Sequence, residues 1–315
     1  MKTKAILIGL LGAMMLTLPV LVHPETLGKV TFPTSCDARV QANFERGVAM
    51  LHSYWFTEAR KVFEAVLEQD AGCAMAYWGL AVNYLGNSLA SAPSAKDVAA
   101  AWAGLDKARA IGARTPRERD WIEAISVYYR DADTVALDAR LLAYTEAMER
   151  MTRRYPDDLE AWTYYALTLQ ASAPRNDKAY GHQLRSAEIL ERLFKQNPAA
   201  RILWAHSGFD SPDTIRAMLA KHRNLWCDLA FRSEQGSGGK VPAEWRALLT
   251  DFPDRFMVGT DTYTPERWHY IVEHAAWSRA WLADLPPPLA ERIAWRNADA
   301  LFAGPFVKSA PARSQ

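Results

Sequence analysis

Cysteine and histidine are scarce in this chain, with three and seven among 315 residues. Cys36, Cys73 and Cys227 form no CxxC pair, which excludes a disulfide-built scaffold and the common structural zinc motifs. The histidines are His23, His52, His182, His206, His222, His269 and His274, and no two are separated by a single residue, so an HxH metal pair is missing. An excess of one charge is missing too, since 37 Lys+Arg face 36 Asp+Glu. Nucleic acid is thereby excluded as a partner, because binding it needs clustered basic groups that release counterions.

Long apolar runs are confined to residues 5–22, which follow Lys2 and Lys4. A charged start and an apolar middle describe a secretory signal, assigned to residues 1–23. Pro19 near the end of the run breaks a spanning helix and suits an exit from a signal. An uncleaved anchor is the alternative, because the run is close to the length needed to cross a bilayer. The signal predicts a periplasmic or secreted protein that meets a membrane only if the segment is retained.

Apolar residues make up 50% of the chain, with 12 Trp, and their spacing changes near Pro198. Up to that point it is helical: Phe44, Val48 and Leu51, then Ala59, Val62, Phe63 and Val66, with a break at residues 53–56. Tyr77, Leu80, Ala81 and Tyr84 follow one period on, before an insertion at residues 87–96. Trp121, Ala124 and Tyr128 open a third pair, whose second helix is expected at residues 137–154. Trp162, Tyr165, Ala166 and Leu169 open a fourth, closed by residues 187–194.

This pattern, with Gly47, Ala59 and Phe63 where two helices cross, resembles the tetratricopeptide repeat and exported bacterial proteins that carry it. The resemblance implies stacked helix pairs over residues 36–198 and a concave surface for a protein or peptide ligand. Trp78, Trp102, Trp121 and Trp162 are then core residues. Cys36 and Cys73 lie about one period apart at equivalent repeat positions, so they would bridge in an oxidising compartment and stay reduced in the cytosol.

Beyond Pro198 short apolar runs end in polar residues: residues 201–205 before His206, residues 225–229 around Asp228, and residues 255–261 closing on Asp261. Helices are expected between them, which predicts parallel β/α units over residues 199–304, with a tail at 305–315. The stretches ILWAHSGF, NLWCDLAF, RFMVGTDT and ERIAWRNADALF resemble the C-terminal part of the amidohydrolase-related metal-dependent hydrolases. That resemblance implies a TIM-barrel fragment in which His206 and Asp261 are metal ligands or catalytic acid/base groups, holding Zn²⁺ or another divalent ion. Asp228 is a further candidate, and His269 and His274 are expected at the surface or in a second layer.

The first-strand HxH and the strand-five histidine of that family are absent. Residues 201–302 supply roughly 100 of the ~200 to 250 residues a complete barrel needs. The fold expected is therefore multidomain, tetratricopeptide-like helical repeats followed by a barrel fragment of about three strands. Two functions compete: an exported interaction scaffold fused to an incomplete, non-catalytic amidohydrolase-like segment, or a metal-dependent hydrolase or decarboxylase acting on a small molecule.

Overall fold

The computed structural model describes residues 27–302 apart from 90, 175, 233–238 and 263–264. The expected signal, the C-terminal tail, and Gly236 and Gly238 lie outside the described residues. Eight helices come first: α1 Gln41–His52, α2 Phe56–Gln69, α3 Ala74–Leu85, α4 Ala95–Ile111, α5 Pro116–Tyr129, α6 Leu137–Arg154, α7 Leu159–Ala171 and α8 Gly181–Gln196. Their starts follow from capping chemistry. Thr115 and Glu118 form a reciprocal capping box ahead of Pro116, and Ser94 and Asp158 accept from the backbone N–H of Asp97 and Ala161. Gly86 and Gly112 end α3 and α4 at φ +65° and +79°, a region that costs other residues energy.

Each of these helices packs on the next. At the α1–α2–α3 crossing the Phe63 ring lies over two glycines, so close that a Cβ on Gly47 would sit 2.8 Å from it and one on Gly79 2.4 Å. Trp78 and Trp121 are fully buried, with ring centroids 5.3 Å apart, and Tyr164 packs 5.8 and 5.5 Å from them. Phe32 enters this cluster from the segment before α1, at 5.0 Å from Trp78 and 5.2 Å from Trp121. Such rings each bury about 150–250 Å² and dominate a core of this kind. Among the described residues, the inner side of the first helices is thus filled by aromatic rings. Trp102 and Trp162 are partly buried, under the guanidinium groups of Arg109 and Arg192.

Two further links hold the N-terminal segment. Cys36 and Cys73 are joined, with Cα atoms 4.8 Å apart. Glu118, buried beneath residues 27–37, accepts at 2.6 Å from both the N–H and the Oγ of Ser35. Burial raises its pKa, but the bonds from Ser35 and Thr115 outweigh this and hold it below the usual carboxylate range.

After α8 come β1 Ile202–Trp204, α9 Pro212–Lys221, β2 Leu225–Asp228, α10 Ala243–Asp251, β3 Phe256–Met257, α11 Tyr270–Ala283, α12 Pro287–Glu291, a π-helical turn Arg292–Arg296 and α13 Asn297–Phe302. The strands are parallel, ordered β1-β2-β3, with Leu203 opposite Trp226 and Cys227 opposite Phe256. Leu225, Cys227 and Phe256 belong to a second core with Ile215, Leu219, Leu248 and Ile293. The third strand is shorter than expected from residues 255–261. It ends where the Val258 N–H turns to the Ile293 carbonyl, leaving the ladder. The helix after it begins at Tyr270, because residues Pro265–Arg267 form a separate 3₁₀ turn. Helix α8 belongs to the first core through Ile189 and Leu193, and its Glu191 pairs with Lys221 at the end of α9 and lies 3.7 Å from His222.

Candidate functional site

At the end of β1 the chain turns sharply. His206, Ser207 and Gly208 take φ values of 56°, 49° and 64° in succession. For the first two, with side chains, left-handed backbone costs about 1–2 kcal/mol each, so surrounding groups must fix it. Those groups are present. Arg232 donates through Nε to the His206 carbonyl at 2.8 Å and through Nη2 to the Asp210 carbonyl at 3.1 Å. Ser207 Oγ donates to the Asp228 carbonyl at 2.8 Å, and the His206 N–H donates to Asp228 Oδ1 at 3.1 Å. A Cβ on Gly208 would collide with the Trp204 ring at 2.2 Å, so the turn leaves space for hydrogen only.

The parallel strands bring His206, Asp228 and Asp261 to one rim of the sheet. His206 Nε2 is 3.7 Å from Asp261 Oδ1, and His206 Nδ1 is 3.8 Å from Asp228 Oδ1. Asp261 has φ 49°, and Arg267 grips it twice at 2.9 Å, through Nε to its carbonyl and Nη2 to Oδ2. Burial raises the Asp228 pKa, only partly offset by the N–H groups of Ala230 and His206, and the Asp261 charge raises it further. Gly259 makes room for this carboxylate, since a Cβ there would stand 2.7 Å from Asp228 Oδ1. Phe231 packs 5.4 Å from the His206 ring and 4.9 Å from that of His274, which is buried.

His269 is exposed and stacks on Tyr270. His52 pairs with Glu160 at 2.7 Å, and His182 Nδ1 bonds the Leu169 carbonyl, both in the helical part. Cys227 is an inert thiol, pushed up to about 12 chiefly by burial.

A catalytic zinc site normally presents three protein ligands whose donor atoms converge on one point. Here the two carboxylates approach opposite nitrogens of one imidazole. An ion between His206 Nε2 and Asp261 Oδ1 would leave Asp228 as the outer partner of the ring, and Arg267 already neutralises Asp261. Among the described residues, the only group of three donors close enough to share an ion is Cys36, Asp70 and Cys73, whose two sulfurs are bonded to each other. The residues at the rim therefore supply two donors of a metal site and do not fit a complete one.

The family model described as Amidohydrolase matches residues 180–304, less than half of the chain. Comparison with curated proteins and with solved structures finds no match. This part of the chain is thus amidohydrolase-related. The match starts at the beginning of α8, ahead of the expected boundary at 199. Sequence reasoning missed Arg267, Arg232, Ser207 and Gly259. Gly259 stands two residues before Asp261, and only the position of Asp228 in space reveals why.

Proposed function

We propose that the protein is an exported helical scaffold of tetratricopeptide-like pairs carrying an incomplete amidohydrolase-like segment that does not catalyse hydrolysis in isolation. The observation that carries this reading is the donor set: His206 and Asp261 stand 3.7 Å apart, with Arg267 on the same carboxylate. The disulfide supports an oxidising compartment, because thiols in the cytosol are kept reduced. A protein or peptide ligand would use the open cavity of about 690 Å³ beside Tyr128, Leu141, Leu142, Ser172 and His182, since aromatic rings fill the inner face.

The second reading, a zinc-dependent hydrolase or decarboxylase of a small molecule, is favoured by the shared rim and by left-handed backbone at His206, Ser207 and Asp261. It requires further ligands from another subunit. Turnover of amides, lactones and β-keto acids with added zinc separates the two. The scaffold reading expects none above background in either parent or Asp261→Ala, and turnover that disappears in the variant would establish the enzyme.

A further inference from the structure

A second cavity, of about 620 Å³, opens at the other end of the sheet. Arg201 and Asp254 contribute from just before β1 and β3, Trp226 from the central strand, and Glu291, Arg292 and Arg296 from α12 and the π-helical turn. Its size falls in the range of small-molecule sites, about 300–1,000 Å³.

Two observations define what would fit. Trp226 is on the middle strand of a parallel sheet, where both faces are ordinarily covered. Trp226 is nevertheless only partly buried, belongs to neither core and lines the cavity, with the Arg255 guanidinium 5.4 Å from its ring centroid. The cavity therefore offers an aromatic surface. Its charge is unbalanced toward positive. Glu291 is taken by Arg296 at 2.8 Å, Asp254 lies 3.7 Å from Arg255 and Arg201 donates to the Leu301 carbonyl, whereas the Arg292 side chain has no hydrogen-bond or ion-pair partner among the described residues.

We propose that this cavity binds a small planar aromatic molecule bearing a single carboxylate, its ring against Trp226 and its charge toward Arg292. The ring requirement follows from the indole surface, and the negative charge from arginines that outnumber the carboxylates. A forked guanidinium matches a carboxylate in two parallel hydrogen bonds. The site is at the opposite end of the strands from His206 and needs no metal, so it stands apart from the reading above.

Titration calorimetry of the full, oxidised chain with benzoate tests it, with benzamide lacking the charge and acetate lacking the ring. Benzoate is expected to bind at least about tenfold more tightly than either, equivalent to about 1.4 kcal/mol. Arg292→Glu, a change at an exposed position, should weaken benzoate at least about tenfold while leaving the circular dichroism spectrum intact; Arg279→Glu, outside the cavity, should leave binding unchanged. In the ¹H–¹⁵N spectrum benzoate should move an indole cross-peak that is missing from Trp226→Phe. Benzoate that fails to bind, binds no better than both controls, or ignores Arg292→Glu overturns the proposal, as does an unmoved Trp226 indole.

Discussion

Gly259 and Asp228 form a close residue pair at the candidate site, because a methyl group at 259 would fall 2.7 Å from a carboxylate oxygen. Gly259→Ala is therefore expected to cost about 1–3 kcal/mol through overpacking. In an Asp228→Ala background the cost should shrink in part, because Oδ1 and Cγ are gone while Cβ, 2.9 Å from the added methyl, remains; equal costs in the two backgrounds, measured by urea unfolding, would show that the carboxylate is not the obstruction. Glu118 gives a pH signature. Its folded pKa lies below the ordinary value, so its contribution is complete above the unfolded pKa and disappears as pH falls through the folded one. Glu118→Gln should destabilise by about 1–3 kcal/mol at pH 7, and the gap to the parent should close in acid. A gap that stays constant with pH would assign the effect to packing.

The helix at Leu137–Arg154 was legible with its bounds, expected at residues 137–154, whereas the start of α4 behind Ser94 was not, since residues 87–96 read as an insertion. The crossing of α1 and α2 was legible too, from Gly47, Ala59 and Phe63. The other half of that wedge was not, because Gly79 reads as one small residue in an apolar helix until Phe63 is seen above it. Gly79→Ala places a Cβ 2.4 Å from the Phe63 ring. It should lower stability by about 1–3 kcal/mol, although alanine favours helix over glycine by about 1 kcal/mol. A stabilised variant in thermal denaturation would mean that Phe63 moves freely. The third strand was misjudged in length because apolar pattern alone cannot tell where a ladder loses its partner. Leu203 illustrates the same limit: it reads as a buried strand residue and is 40% exposed. At the rim, His206 and Asp261 were readable as strand-end polar groups. Arg267 was not, since its role depends on a turn that folds it back onto Asp261.

At the scale of the whole molecule, the disulfide fastens the N-terminal segment to α3 across 37 residues. Closing a loop of that length contributes up to about 3–4 kcal/mol on the chain-entropy account. Reduction should therefore lower the melting temperature measured by helical circular dichroism, and an unchanged melting curve would show that Phe32 and Glu118 hold the segment unaided. Helix α8 packs with the helical part and also opens the stretch matched by the family. Helical and β/α spacing were both visible in the sequence, but the contacts of α8 with Lys221 and His222 were not, because its amphipathic pattern does not name what its polar face meets.

The reading of an amidohydrolase-related segment without a complete metal centre is tested most directly by zinc stoichiometry. The oxidised full chain, equilibrated with zinc and then dialysed, would be measured by plasma mass spectrometry beside Asp261→Ala. Oxidation matters because Cys36, Asp70 and Cys73 would offer donors if reduced. The expected result is zinc far below one per chain in both proteins. One zinc per chain in the parent, lost in Asp261→Ala, would contradict the account and make the rim a metal centre.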